Sequence, residues 1–233
     1  MDKMLTTLKE GLPRLGLTLP EQQLVLLCEF ADAVVRQNQV MNLTAITEPV
    51  AVAKLHLLDS LSLLTLEDLA GKQIIDVGCG AGFPGVPLKI ACPEARLTLL
   101  DSLGKRMSWL EQVLPAMGIE AEYVTARAEE AVASRREQYD IATSRAVARL
   151  NILLELTAPY VQVGGKVLAM KGNAWREELN EARSAISRLG LKIETVKEFP
   201  AEGTEHAVIV LKKISPTPAQ YPRRYAKIKL LPL

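Results

Sequence analysis

The apolar positions in residues 1–70 recur at the spacing of amphipathic helices. After Pro20, apolar side chains fall at i, i+3, i+4 and i+7, namely at Leu24, Leu27, Cys28 and Ala31. A second helix is predicted to begin near Thr47, a capping residue type that precedes a proline at position 49. We therefore expect a helical cap ahead of the rest of the chain.

The pattern changes at Gly71, where short β-rich apolar runs begin to alternate with helical runs. The predicted strands cover residues 73–77, 97–100, 121–124, 139–143, 166–171, 191–198 and 206–212. The predicted helices between them cover residues 86–92, 105–117, 128–133, 150–161 and 175–189. This alternation is typical of a doubly wound α/β domain with a mostly parallel sheet and helices on both faces.

The last two of the seven predicted strands are joined by residues 199–205 alone. A connection of that length cannot hold the helix that a parallel crossover needs. We therefore expect a seven-stranded, mostly parallel sheet whose last strand is antiparallel. On this basis the chain divides into a helical cap (1–70), a central α/β domain (71–213) and a C-terminal tail (214–233).

Charge is distributed unevenly, although the formal net charge of the 233 residues is only +1. The C-terminal end carries basic side chains and no acidic one from residue 212 onward, at Lys212, Lys213, Arg223, Arg224, Lys227 and Lys229. A basic tail on a near-neutral body is typical of contact with phosphates. On charge alone, a solvated and disordered end is an equally good interpretation.

Composition narrows the class of protein. No stretch approaches the roughly 20 apolar residues of a membrane span, and the first residues lack the pattern of a secretory signal. The three cysteines are odd in number and not spaced as metal ligands, and the two histidines are far apart. We expect a cytoplasmic monomer without a disulfide framework or a metal site.

A glycine-rich loop is the main chemical signal. Residues 76–85 (DVGCGAGFPG) follow a predicted strand and precede a predicted helix, and glycines there let a ligand approach the backbone closely. Gly80, Gly82 and Gly85 formally satisfy the dinucleotide fingerprint G-x-G-x-x-G. Asp101 stands 19 residues after Gly82, where a carboxylate that binds ribose is expected.

Two features favour a methyl donor over a nicotinamide dinucleotide. Asp76 is expected at the mouth of the loop, where its charge would repel a pyrophosphate and suit ammonium and sulfonium groups. An antiparallel last strand is not part of the dinucleotide-binding design, and no second substrate domain remains. We therefore expect S-adenosylmethionine as donor and S-adenosylhomocysteine as product. Asp101 would bind the ribose, cap the following helix, or do both.

Five motifs occur together and in order: NLTAI at 42–46, HLLDS at 56–60, DVGCGAGFPGVP at 76–87, LDSLGKR at 100–106 and SRA at 144–146. With these motifs the chain closely resembles the bacterial small-subunit ribosomal RNA guanine-N7 methyltransferases, also called the glucose-inhibited division protein B family. The resemblance covers nearly the whole chain, including YPRR at 221–224. It departs at residues 225–227 (YAK), where a turn rich in glycine and proline is expected.

The resemblance implies a class I methyltransferase-like fold and transfer of a methyl group to N7 of a guanine in small-subunit ribosomal RNA. The substrate would be that RNA alone, a ribosomal subunit or an assembly intermediate. The implied donor contacts are Gly78, Phe83, Asp101, Ala128, Glu129 and Arg145. We expect further donor contacts from Asp76, Gly80 and Ser102. We expect RNA phosphate contacts from Arg223, Arg224, Lys227 and Lys229.

The residues at the end of the fourth predicted strand indicate which kind of atom in the substrate base accepts the methyl group. Residues 143–146 read TSRA, and not the Asp/Asn-Pro-Pro-aromatic pattern typical of exocyclic amine methylation. No cysteine is well placed for covalent attack on a pyrimidine. Guanine N7 is already an acceptor and needs no base, so Arg145, always protonated, is expected to position donor and target.

Two questions stay open at this level. His56 and Asp59, one helical turn apart, form either a functional pair or part of a hydrogen-bonded core. A non-catalytic RNA- or ribosome-binding protein that keeps this fold as a scaffold is the alternative function. The intact glycine loop and Asp101 count against that alternative.

Overall fold

A seven-stranded sheet forms the centre of the molecule, which a computed structural model describes for residues 2–201 and 204–233. The strands are β1 (Gln73–Val77), β2 (Arg96–Asp101), β3 (Glu122–Thr125), β4 (Tyr139–Arg145), β5 (Val161–Lys171), β6 (Leu191–Ala201) and β7 (Thr204–Lys213). Their spatial order is β3-β2-β1-β4-β5-β7-β6. The first five strands pair in parallel, and β7 is antiparallel to both β5 and β6. The predicted sheet with its antiparallel last strand is confirmed.

Helices cover both faces of this sheet. Over the described residues they are α1 (Asp2–Gly11), α2 (Glu21–Gln37), α3 (Pro49–Val52), α4 (Asp59–Leu61), α5 (Gly85–Ala91), α6 (Gly104–Ala116), α7 (Ala128–Ala131), α8 (Leu150–Thr157), α9 (Trp175–Glu181), α10 (Arg183–Arg188) and α11 (Tyr225–Leu230). Short 3-10 helices cover Leu12–Leu15, Ser62–Thr65, Val132–Ser134 and Ala158–Tyr160. Within the described ranges, no helix combines the length and apolar character needed to cross a membrane.

The N-terminal helices share their core with the sheet. Phe30 of α2 and Leu57, between α3 and α4, belong to one buried apolar cluster with Leu99 of β2 and Leu110 of α6. A second cluster covers the opposite face of the sheet, where α8 and α10 pack. The predicted helical cap is therefore present, and it closes one face of the central core.

A π-helical turn, Ala53–Leu58, joins α3 to α4, so that residues 49–61 run without a break. Such turns widen a helix locally and occur often at functional sites. The helix is capped by the carboxylate of Glu48, which accepts a hydrogen bond from Ala51 N at 2.8 Å. The prediction of a start near Thr47 is right to within one residue, but the capping side chain is Glu48.

Two predicted element boundaries are wrong. The helix expected over 150–161 is α-helical to Thr157 and 3-10 helical to Tyr160, but the fifth strand, expected from residue 166, begins at Val161 and continues through Gly164 and Gly165. The β4–β5 register shifts beside these glycines, so they lie in an irregular stretch of strand that the pattern predicted as a turn. The helix expected over 175–189 breaks at Ala182 into α9 and α10.

The C-terminal tail is anchored against α8 and is not a solvated extension. The N–H and the guanidinium of Arg223 donate to the carboxylate of Glu155 at 2.6–2.8 Å, and Glu155 is fully buried. Lys213, also fully buried, donates to Ala158 O at 2.7 Å and to Thr217. Buried charges require such partners, so these contacts hold the tail in one position.

Candidate active site

A cavity of about 470 Å³ opens at the carboxyl ends of β1, β2, β3 and β4. Ligand pockets in proteins are roughly 300–1,000 Å³, and open α/β sheets bind ligands at this edge. The predicted site residues that border the cavity are Gly78, Gly80, Phe83, Asp101, Ser102, Ala128, Glu129 and Arg145. The fold thus brings together residues from four separate strand ends.

The glycine loop forms the floor of the cavity. Gly78 has φ +73, a conformation that side chains other than glycine rarely adopt. A Cβ at this position would also lie 2.4 Å from Cγ2 of Val147, which follows β4. The N–H of Gly78 donates to Leu100 O at 2.8 Å and so fixes the loop to β2. The backbone conformation at position 78 therefore favours glycine, and a side chain there would also have to displace Val147.

Asp101, the last residue of β2, connects this loop to the next helix. Its Oδ2 accepts from Gly80 N and its Oδ1 from Leu103 N, both at 2.9 Å. The side chain is 8% exposed and borders the cavity. A carboxylate has about four lone-pair sites, so Asp101 can accept these two bonds and still accept from ribose hydroxyls. The N-cap residue of α6 is Leu103 and receives no side-chain cap, so the helix-capping alternative for Asp101 is wrong, and ribose binding stays a prediction.

Asp76 lies beneath the loop and does not border the cavity. It is fully buried, and its Oδ2 accepts from Gly85 N at 2.9 Å, while Oδ1 has no hydrogen-bond partner among the described residues. Burial raises the pKa of Asp76 to about 7. The prediction that Asp76 presents its charge at the mouth of the loop is therefore wrong, and so is the argument against a pyrophosphate that used it.

Ala126, Arg127, Ala128 and Glu129 border the cavity at the end of β3. Ala128 begins α7, and its carbonyl accepts from Tyr160 Oη at 2.6 Å. The first N–H groups of a helix have no partner within the helix, so Ala128 and Glu129 offer donors at this end. Ala126 N donates to Asp101 O at 3.1 Å, which ties this segment to β2.

Arg145, the last residue of β4, is held by the π-helical turn and its neighbours. Its Nη1 donates to Leu55 O at 2.9 Å and to Asp59 Oδ2 at 3.2 Å. Its Nη2 lies 3.2 Å from His56 Nδ1, and the guanidinium lies 5.3 Å from the ring centroid of Phe83. The arginine is thus a partly buried group fixed by four neighbours, and not a mobile cleft side chain.

His56 is a neutral member of this cluster. Burial, and then the charge of Arg145, lower the pKa of His56 to about 4. Its Nδ1 lies 3.1 Å from Leu55 O and 3.2 Å from Arg145 Nη2, and its Nε2 lies 2.7 Å from Thr44 Oγ1. The imidazole stacks on Phe83 with ring centroids 4.8 Å apart. His56 thus contacts both Phe83 and Arg145, and it borders the cavity with them.

His206 of β7 completes the cluster, and the sequence pattern did not indicate it. Its Nδ1 lies 3.0 Å from Asp59 Oδ1, and this hydrogen bond raises the pKa of His206. Asp59 thus contacts both His206 and Arg145. His56 and Asp59, the pair that the sequence left open, both contact Arg145. Because His206 is 147 residues from Asp59, no local spacing could have revealed the contact.

The predicted RNA-binding cations divide into two groups. Arg223 is engaged by Glu155, as described above, and its side chain is only 16% exposed. Arg224, Lys227 and Lys229 have exposed side chains. The same segment adds a residue that sequence reasoning missed, since Tyr225 borders the cavity beside Arg127.

The cysteines do not supply a nucleophile in the described part of the chain. Cys79 borders the cavity, but its Sγ lies 3.7 Å from Met107 Sδ, and burial raises the pKa of the Cys79 thiol. Cys28 and Cys92 do not border the cavity, and all three cysteines are unbridged. The described residues also contain no cluster of three or more His, Cys, Asp or Glu side chains arranged to hold a metal ion.

Comparison with known proteins gives the family. The model of the rRNA small subunit methyltransferase G family (GidB) matches residues 23–208. The ribosomal RNA small subunit methyltransferase G of Alkaliphilus metalliredigens is 44% identical over 223 residues, 93% of each chain. The protein of the same name from Caldanaerobacter subterraneus subsp. tengcongensis is 44% identical over 239 residues, 99% of each chain.

Solved structures share the fold at low sequence identity. A mutant of the 16S rRNA (adenine(1408)-N(1))-methyltransferase from Catenulisporales acidiphilia, with the cosubstrate SAM, matches with TM-score 0.51 and 19% identity over 64% of this chain and 87% of that one. P. horikoshii TYW2 in complex with MeSAdo matches with TM-score 0.55 and 11% identity over 67% of this chain and 61% of that one, less than two thirds of its length. The sheet is therefore that of class I methyltransferases. Since the family model and the relatives both cover most of the sequence, the chain belongs to the rRNA small subunit methyltransferase G family.

Proposed function

We propose that this enzyme transfers the methyl group of S-adenosylmethionine to N7 of a guanine in small-subunit ribosomal RNA. Membership of the family makes it a methyltransferase of small-subunit rRNA. The observation that carries the finer proposal is the cavity, where the glycine loop, Asp101 and Arg145 meet at neighbouring strand ends. A non-catalytic RNA- or ribosome-binding scaffold would not need the glycine loop, Asp101 and Arg145 together in one cavity.

The cavity fits an elongated donor laid across the strand ends. Gly78 and Gly80 give a floor without side chains, and Asp101 follows at the end of β2, where it borders the cavity. Ala128 and Glu129 come next on the β3 side, where backbone donors suit the edge of adenine. The amino-acid part of the donor then lies toward β4. Asp76 acts indirectly in this arrangement, because its bond to Gly85 N holds the loop.

Bound S-adenosylmethionine supplies an activated methyl group on a sulfonium with a good neutral leaving group. The task left to the protein is to align the two reactants, an effect that accounts for a large part of many rate enhancements. Arg145 cannot act as a base because it stays protonated. Its planar fork, held by Leu55 and Asp59, can bind the donor carboxylate, an RNA phosphate or guanine O6.

The absence of other chemistry supports N7 as the acceptor atom. A guanine N7 lone pair needs no deprotonation and no covalent intermediate. Among the described residues that border the cavity, Cys79 is the one cysteine, and its thiol is buried against Met107. His56, whose pKa burial lowers to about 4, is neutral at working pH and already bonded to Arg145 and Thr44.

The division of the chain is part of this proposal. The cap, residues 1–70, positions Arg145; residues 71–213 hold the donor; and residues 214–233 contact RNA through exposed cations. Arg224, Lys227 and Lys229 are suited to phosphate contact because their side chains reach solvent. Arg223 instead anchors the segment that presents them. We further propose that the enzyme acts in the cytoplasm as a monomer, on naked RNA or on a ribosomal particle.

The test is methyl transfer from labelled donor to small-subunit rRNA and to small ribosomal subunits from cells that lack this gene. Nuclease digestion and mass spectrometry identify the methylated nucleoside. We expect N7-methylguanosine at one site. Label on a different base, or on a different atom of guanine, would refute the acceptor assignment. Comparing RNA with intact subunits identifies the preferred substrate.

A further inference from the structure

We propose that Tyr225, in the C-terminal segment, forms the outer wall of the adenine end of the donor cavity and contacts the adenine ring. This inference rests on the proposed function, because it requires the donor to occupy the cavity. It adds a binding role to a residue outside the strand ends that build the rest of the site.

The first observation is the position of Tyr225 within the cavity. Tyr225 borders the same space as Ala128 and Glu129 at the β3 end, with Leu156 of α8 on the lining as well. Arg145 borders the cavity from β4, and the sheet order separates β4 from β3 by β1 and β2. With the ribose on Asp101 of β2, the base extends toward β3 and therefore toward Tyr225.

The second observation is that buried anchors on both sides fix the position of Tyr225. Two residues before it, Arg223 donates three hydrogen bonds to the buried carboxylate of Glu155. Three residues after it, Ile228 is fully buried in the apolar cluster that includes α8. Between these anchors, Tyr225 is partly buried, so the residue is held at the cavity and keeps an accessible surface.

The third observation concerns the chemistry of the ring and its neighbour. The guanidinium of Arg127 lies 5.8 Å from the ring centroid of Tyr225, a cation–π distance. An aromatic ring offers a base a stacking surface, and alanine substitution of such rings costs roughly 5- to 150-fold in binding, the equivalent of about 1–3 kcal/mol per base. A ring at the rim of a cavity belongs at the lower end of that range.

The test is calorimetric binding of S-adenosylhomocysteine and of adenosine to the full-length protein. Tyr225→Ala and Tyr225→Leu should weaken both ligands by about 5- to 10-fold, since both ligands carry adenine. Tyr225→Phe should stay within about twofold of the wild type, because the ring remains. The control is Leu230→Ala on the same helix, where the side chain is 82% exposed and does not border the cavity.

Several outcomes would overturn the inference. Wild-type affinity in a folded Tyr225→Ala protein would do so, as would full affinity in Tyr225→Leu, which would reduce the role to apolar packing. An equal reduction of affinity in Leu230→Ala would show a general effect of the tail. Asp101→Asn separates the two proposals: if it weakens binding while Tyr225→Ala does not, the inference alone fails. If the wild type binds neither ligand, the proposed donor site fails with it.

Discussion

The carboxylate of Asp59 lies 3.2 Å from the guanidinium of Arg145, although the two residues are 86 positions apart in the chain. Asp59 opens α4 in the N-terminal region, and Arg145 closes β4 at the cavity. The other oxygen of the same carboxylate meets His206 of β7 at 3.0 Å. The N-terminal helices therefore set the position of the arginine at the proposed reaction centre.

This relationship gives a first prediction for Arg145→Lys. Lysine keeps the charge but has no planar fork, so it cannot hold Leu55 O and Asp59 while also reaching a ligand. Single-turnover methyl transfer should fall by about 10- to 100-fold, the equivalent of roughly 1–3 kcal/mol of bidentate contact. Thermal unfolding, measured alongside, should show a modest decrease in stability because Arg145 also joins the cap to β4. A folded variant with wild-type turnover would leave Arg145 as a structural group only.

The second prediction concerns Asp101→Asn. The amide nitrogen cannot accept a hydrogen bond, so the bond to Gly80 N, to Leu103 N or to the donor ribose must break. Affinity for S-adenosylhomocysteine should fall by about 10-fold or more, because each hydrogen bond to a charged group is worth roughly 1.5–3 kcal/mol. Calorimetry measures this change directly.

Asp140→Asn is the matched control for Asp101. Asp140 also accepts from a backbone N–H, that of Gln73 at 2.8 Å, but it lies near the amino end of β4 and does not border the cavity. Its substitution should leave donor affinity unchanged. Equal affinities for both variants would contradict the role of Asp101 in donor binding.

The third prediction is a pH dependence of stability from Asp76. Burial raises the pKa of Asp76 to about 7 in the folded protein, against about 3.9 in an unfolded chain. Between about pH 4 and 7 the folded state therefore holds a proton that the unfolded state has released. The free energy of unfolding must then decrease as pH rises through that window.

Asparagine at position 76 cannot titrate, and its side-chain oxygen can still accept from Gly85 N. The stability of the wild type relative to Asp76→Asn should accordingly fall by roughly 2–4 kcal/mol between pH 4 and pH 7, at about 1.4 kcal/mol per pKa unit. Urea unfolding of both proteins across this range measures the difference, and the other titrating groups cancel in it. Parallel stability curves would show that Asp76 has an ordinary pKa.

The fourth prediction tests whether the exposed basic residues of the tail contact RNA phosphates. Neutralising Arg224, Lys227 and Lys229 to glutamine should weaken RNA binding and flatten its dependence on salt. The log–log slope should fall by about 0.7–0.9 for each phosphate that the variant no longer neutralises. Lys192→Gln, an exposed residue on the edge strand β6, serves as control and should leave the slope unchanged. If the triple variant keeps the wild-type slope, these three cations are only solvated and do not contact RNA phosphates.

Arg223→Gln should behave differently from its neighbour Arg224→Gln. Removal of the Arg223 guanidinium leaves the buried carboxylate of Glu155 without its charged partner, and breaking a buried ion pair in this way costs about 3–5 kcal/mol of stability. Chemical unfolding should therefore detect Arg223→Gln and show little effect of Arg224→Gln. Equal stabilities of the two variants would contradict the anchoring role.

Much of the fold could be predicted because its signals are local. The strand at 73–77, the glycine loop and the carboxylate at the end of β2 are each encoded within about ten residues by periodicity and turn chemistry. Parallel strands align their carboxyl ends at one edge, so placing Asp101 and Arg145 in the same cavity needed only the strand order. The length of the last connection was enough to predict an antiparallel final strand.

The sequence by itself therefore determined the sheet, the glycine loop and the residues at the strand ends. Tertiary structure alone decided which side chains surround them. Asp59 and His206 meet across 147 residues, and Arg223 finds Glu155 across 68. The direction of Asp76, away from the cavity, likewise follows from how the loop packs over β1. Such contacts depend on long-range chain closure and on the need of buried charges for partners, and neither leaves a periodic trace in the sequence.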